Sequence, residues 1–241
     1  MDYSTFQDFL SCLYVAASEV KHHQSRDEIL EGMLENIITG AIPEVFLPSQ
    51  DMGTRSTKGM NLLAAVMVKV IHCCKDAKES QILDLSSCSL IQVPIAAYFI
   101  LKATEILSCD LSGNLITKIS QKFGIYFIHI TTLNLSSNRL SSLPNELINC
   151  THLESVDISF NSFVIFPNVL LKIESMTEII ASNNFIAEVN DEALEQHVNL
   201  EMVILEENPL DQQTHARLIR AKGQRIVLTE RRDQGWEDLS W

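Results

Sequence analysis

The chain has 241 residues, 46% hydrophobic and 20% charged, which suits a folded chain with a sizeable core and excludes a disordered one. No stretch approaches about 18 uninterrupted apolar residues, so no membrane span is expected. Formal net charge is −13, and residues 80–210 hold five basic against fifteen acidic side chains, which argues against nucleic acid or an anionic membrane surface as a partner of that region.

Residues 1–58 read as a helical extension and linker. Phe6, Leu10, Leu13, Ala17 and Val20 form one amphipathic stripe, and Ile29, Leu30, Met33, Leu34, Ile37 and Ile38 form a broader one. Pro43 and Pro48 break the pattern, and the polar stretch ending at Gly59 reads as the linker. The first residues are acidic where a secretory leader would be basic, so no cleaved signal peptide is expected. Residues 59–79 follow as a helix with Leu62, Leu63, Val66, Val70 and Cys74 on one stripe.

Residues 80–210 repeat themselves. Leu83 to Pro94 aligns with Leu133 to Pro144 and with Val156 to Pro167, on the template L-x-x-L-x-L-x-x-N-x-L-x-x-L-P. Looser copies run from Ile106 to Ile119, Met176 to Val189 and Leu200 to Leu210, making six units. The Asn/Cys position falls at Cys88, Asn114, Asn138, Asn161, Asn184 and Asn208, spaced 26, 24, 23, 23 and 24 residues apart. Such a unit cannot bury its own apolar residues and must stack on its neighbours. Leu133 and Leu135 are two apart, so a strand sends both to one face, and successive strands should lie parallel on the inside of a curved solenoid. The Asn amide can bond both N–H and C=O groups where the chain leaves the strand. After Val189, a short convex-side helix is expected with Asn190 or Asp191 as N-cap.

Residues 211–241 read as the second cap and a tail. A helix from Asp211 should turn Leu218 and Ile219 inward, with Gly223 as its stop. Arg225 to Thr229 supplies a final strand, and the charged tail follows, with Trp236 or Trp241 as residues to fold back. The fold class is therefore α/β: a right-handed solenoid of six repeats with helical caps at both ends.

The segment from Met60 to Leu210 resembles small intracellular leucine-rich-repeat proteins. The likeness rests on an amphipathic helix leading into the repeats, on S-L-I-Q-V-P-I-A-A-Y in the first unit, on the long second unit, and on the ending E-E-N-P-L at Glu206 to Leu210. The resemblance implies a non-enzymatic repeat protein and brings no catalytic residue, cofactor or defined partner. Residues 1–58 depart from it.

The six cysteines form no clustered framework, and Cys88 and Cys109 occupy core positions, so reduced thiols in a cytoplasmic or nuclear protein are expected. His72, Cys73 and Cys74 are adjacent on a helix and point about 100° apart, so they cannot easily share a metal; His22-His23 is a similar case. No phosphate loop and no catalytic constellation appears, and no catalytic, metal or cofactor residue is assigned.

The informative surface is the concave strand face. Its thirty positions include eight acids and no Lys or Arg. The candidate partner-binding residues are Asp84, Asp110, Asn134, Glu154, Asp157, Phe160, Glu178, Ile180, Glu201, Met202 and Ile204. The central column, Asp84, Asp110, Asn134, Asp157, Ile180 and Ile204, turns from acidic to apolar toward the C-terminal end. One reading is that acids simply keep a sheet face solvated; the functional reading is a groove for a protein with a basic surface and an apolar anchor. A regulatory subunit docked through the N-terminal helices is the alternative.

Overall fold

The computed structural model describes Val66, residues 69–220 and residues 225–229. The two amphipathic stretches before residue 59, Leu62, Leu63, Cys12, the His22-His23 pair, Gly223, Trp236 and Trp241 lie outside the described residues.

Helix α1 runs over residues 69–80 and covers the first repeat. Its inward stripe is Val70, Ile71, Cys74 and Ala77, each at most 1% exposed. Gln81 adopts φ 61 and ends the helix in a left-handed turn, its N–H still donating to the Ala77 carbonyl at 2.9 Å. His72 is exposed and Cys74 buried, so the two point to different surroundings.

Seven three-residue strands follow: β1 Ile82–Asp84, β2 Ser108–Asp110, β3 Thr132–Asn134, β4 Ser155–Asp157, β5 Glu178–Ile180, β6 Met202–Ile204 and β7 Arg225–Val227. All neighbours pair in parallel and in chain order, giving one open sheet. Six repeats are thus extended by the seventh strand that the Arg225–Thr229 segment predicted. The middle residue of each strand points inward; Leu83, Cys109, Leu133, Val156, Ile179 and Val203 are no more than 2% exposed. Leu85, Leu111, Leu135, Ile158, Ala181 and Leu205 form a second buried column two residues on, as a period of two requires.

The returning chain forms the opposite layer. It contains α2 (Ile95–Ile100), α3 (Phe123–Tyr126), 3₁₀ turns at Asn145–Asn149 and Leu170–Lys172, and α4 (Asp191–Glu195). Asn190 caps α4 by accepting from the Ala193 N–H at 3.0 Å. The long second unit is filled by rings: Phe123 and Phe127 are fully buried and meet edge-on at 5.1 Å, with Tyr98 5.4 Å from Phe127. Gly124 touches the next turn so closely that a Cβ would lie 2.1 Å from the Glu146 carbonyl oxygen.

At the far end, α5 (Gln212–Arg220) is capped by Asp211. One carboxylate oxygen accepts from the Thr214 N–H at 2.8 Å and the other from its hydroxyl at 2.9 Å, which holds the Asp211 carboxyl below its ordinary pKa. Arg217 reaches Asp191 at 3.5 Å and ties α5 to α4. The expected pairing of Leu218 and Ile219 is half right. Leu218 is buried, but Ile219 is 66% exposed, because adjacent helical residues diverge and the helix lies along the repeats on one narrow stripe.

Cys73, Cys74, Cys88, Cys109 and Cys150 are all free thiols. Burial pushes Cys74 and Cys150 up to about 12 and drives Cys109 upward as well, so these three stay protonated at neutral pH. Among the described residues no helix is long and apolar enough to cross a membrane.

Candidate protein-interaction face

The concave face is built on a backbone that bends sharply after each strand. Three columns of residues hold that bend. The first is the Asn column. The Asn114 side-chain oxygen accepts from the Cys88 and Leu90 N–H groups at 3.0 and 2.9 Å, while its amide donates to the Leu85 and Leu111 carbonyls at 2.9 and 2.8 Å. Asn138 repeats the pattern one turn on, accepting from Ile116 at 3.0 Å and donating to Leu111 and Leu135 at 2.9 and 3.1 Å. Asn161, Asn184 and Asn208 continue it, accepting from Leu140, Phe163 and Ile186. Each amide bridges its own turn to the turn before. Cys88, with no earlier turn to bridge, donates only to the Ser86 carbonyl at 3.3 Å.

The second column is the strand-end position. Asp84, Asp110, Asn134 and Asp157 each accept from the N–H two residues on, at Ser86, Ser112, Ser136 and Ser159, over 2.8–3.0 Å. These side chains close the turn locally. The Ser86 N–H also holds the Asp84 carboxyl below its ordinary pKa. Read as surface charge alone, these residues hide this role; the pattern D-x-S in three units and N-x-S in a fourth is the signal for the turn. Ile180 and Ile204 occupy the same register without an acceptor, so apolar side chains there give up that local bond.

The third column immediately precedes the Asn column. Ser87, Gly113, Ser137, Phe160, Asn183 and Glu207 all adopt φ between 49 and 65°. A left-handed residue turns the chain out of the sheet, and Gly, Asn and small polar residues fit there. Phe160 does not fit that preference and is 57% exposed.

These columns place the eleven candidates on one face and its rims. Asp110, Asn134, Asp157, Ile180 and Ile204 are consecutive register partners, and Glu178 is the partner of Met202. Asp84, Glu154, Phe160 and Glu201 are exposed; the other seven are half-buried. Ile180 and Ile204, expected to be exposed, are among the half-buried ones, since the column side chains shield one another. The face is also internally bonded: Asn134 donates to Asp110 at 3.2 Å, and the Ser155 hydroxyl to Glu178 at 2.9 Å. Among the described residues no group of three or more His, Cys, Asp or Glu could hold a metal ion.

Comparison with known proteins agrees with this geometry. A family model described as "Leucine rich repeat" matches residues 108–163. Leucine-rich repeat-containing protein 20 of Mus musculus is 33% identical over 75 residues, which is 30% of this chain and 41% of that protein. Among solved structures, an LRR protein of Leptospira interrogans superposes with a TM-score of 0.50 at 22% identity, covering 57% of this chain and 34% of that one. An internalin C2 of Listeria monocytogenes gives a TM-score of 0.42 at 20% identity, over 54% of this chain and 65% of its own. The chain thus spans less than two thirds of each.

Proposed function

We propose that this chain, a leucine-rich-repeat protein, is a non-enzymatic protein–protein interaction module or scaffold that binds a basic partner protein on its concave face. The observation that carries the reading is the charge pattern: eight acids and no Lys or Arg among thirty concave and rim positions. Asp84 feels the nearby Lys69 of α1, but the face itself supplies no base, and its acidic side chains repel one another, so a cationic partner relieves that repulsion as well as adding attraction. The four strand-end residues Asp84, Asp110, Asn134 and Asp157 are fixed by their own turn bonds, so the partner meets a preorganised surface and little rotamer entropy is lost on binding.

A short oligolysine peptide tests the charge. Attraction at the surface is screened over about 8 Å at physiological salt, so binding should weaken as salt rises. Asp110→Lys with Asp157→Lys should slow association and flatten that salt dependence. Ile180→Ser, which changes no charge, should leave oligolysine binding intact. Charge-reversed and wild-type chains that bind alike would sink this reading and move attention to the N-terminal 58 residues.

A further inference from the structure

At the solvent-facing positions just after the Asn column, Ser89, Arg139 and Ser162 are polar at the first and Thr117 and Ser141 at the third, while the apolar Leu115 and Ile91 are 39 and 40% exposed. Units four and five expose apolar side chains more fully than that. Val164, Ile165 and Phe185 are 61, 74 and 59% exposed, and Phe160 lies at the rim beside them at 57%. The Phe185 N–H donates to the Phe163 carbonyl at 2.8 Å, which sets Phe185 in register beside Val164. The Phe160 N–H donates to the Ser182 carbonyl at 3.0 Å, which joins the same two units on the concave side. The four side chains therefore run from the rim of the acidic face onto its flank.

Two independent features mark the patch. Phe160 sits at φ 53, a left-handed backbone that is an outlier for a bulky residue and costs about 1 kcal/mol or more. Folding alone would favour Asn or Gly there, as at Asn183 and Gly113. The surroundings are also strongly acidic: residues 139–210 hold twelve acids against two bases, Arg139 in unit three and Lys172 on the convex layer. A large exposed apolar patch rimmed by charge is the signature of an interaction site, and aromatic residues supply the anchors of such sites.

We propose that Phe160, Val164, Ile165 and Phe185 form the apolar anchor of the partner site, and that the partner is a basic amphipathic segment of another protein. Its apolar side chains pack on the patch, and its Lys and Arg side chains face the surrounding carboxylates. This rests on the reading of the concave face as a site for a basic partner. A second copy of the chain fits poorly, because a two-fold contact through this patch sets acids against acids.

The probes are three synthetic peptides, used with the full chain: a Leu/Lys peptide with Leu at helical spacing, the same residues shuffled to destroy that spacing, and oligolysine. The wild type should bind the amphipathic peptide best. Val164→Ser with Phe185→Ser should weaken it by roughly tenfold or more while leaving oligolysine binding unchanged. Phe160→Asn should weaken the same peptide without lowering the thermal midpoint, since Asn tolerates the left-handed turn. Equal binding of the amphipathic peptide by wild type and both patch variants overturns the anchor and leaves the basic-partner reading standing. If Asp110→Lys with Asp157→Lys binds all three peptides like wild type, the basic-partner reading itself fails. Wild type that binds no peptide overturns both. Self-association in sedimentation velocity that the patch variants abolish assigns the patch to a second copy and overturns the proposal.

Discussion

At the residue scale, the fold depends on side chains that finish backbone hydrogen bonds. A strand three residues long leaves the chain with orphan N–H and C=O groups at every bend, and these are buried. Asn138 shows how one amide meets them: two donors and one acceptor, spread over two turns. Replacing it with Ala leaves the Leu111 and Leu135 carbonyls and the Ile116 N–H without that partner, and an unpaired buried group costs about 1–3 kcal/mol. Urea unfolding of Asn138→Ala should show a loss in that range; a loss below about 0.5 kcal/mol, the usual surface effect, would remove Asn138 from the ladder. This column was legible in the sequence because its spacing is regular and its residue type nearly invariant along the chain. The turn-closing job of Asp84, Asp110 and Asp157 was less legible. A carboxylate on an exposed strand face reads equally as solvation, as partner contact or as a local cap, and only the 2.8–2.9 Å bonds to Ser86, Ser112 and Ser159 separate the third meaning from the others. The left-handed column was not legible at all. Its occupants, Ser87, Gly113, Ser137, Phe160, Asn183 and Glu207, share a backbone conformation and no chemistry.

At the element scale, the strands obey a period of two and were readable from Leu83/Leu85 onward. The convex layer was not. Helices of four to six residues such as α2, α3 and α4 are too short to display a 3.6-residue pattern, and the 3₁₀ turns of five and three residues follow a different period. Only α4 announced itself, through the cap at Asn190. What fixes the layer instead is close packing between successive connections. Gly124 in α3 faces the backbone of the Asn145–Asn149 turn, and a Cβ there would meet Glu146 O at 2.1 Å, its carbonyl carbon at 2.4 Å and Leu147 N at 2.9 Å. All three are backbone atoms, so relief requires moving a whole turn. Gly124→Ala should therefore cost about 2–3 kcal/mol, at the upper end of overpacking effects. Gly113→Ala makes the contrast. There φ is +65 and the atom in the way is the Ser87 hydroxyl at 2.8 Å, which rotates aside, so only the left-handed strain of about 1 kcal/mol remains. Paired denaturant melts of the two variants test the ranking. If Gly113→Ala proves the costlier, α3 and the turn at 145–149 can separate more easily than their geometry indicates.

At the scale of the whole molecule, a solenoid is stable only if its ends are covered, because each repeat buries its faces against neighbours and the terminal ones lack a neighbour. Helix α1 does this at the first repeat. Val70, Cys74 and Ala77 are buried in the core that contains Leu83, Leu85 and Cys88, and the left-handed Gln81 joins helix directly to strand. The cover is thus integral to the repeat unit, and we propose that the stretch between Pro48 and Gly59, polar in sequence, divides it from the amphipathic stripes upstream. Two shortened chains follow from this division. One that begins at Lys58 should melt cooperatively with a midpoint close to that of the full chain. One that begins at Ser80 uncovers the apolar face of the first repeat. Fully burying a large apolar side chain contributes about 1.5–3 kcal/mol, so losing Val70, Cys74 and Ala77 and uncovering Leu83 and Leu85 removes several kcal/mol. Against a typical total of about 5–15 kcal/mol, that should leave the shorter chain frayed at its first unit or unfolded. Circular dichroism melts and solubility compare the three. If the chain from Lys58 is already insoluble or unfolded, residues 1–57 belong to the repeat core, and the division of the molecule at the linker is wrong.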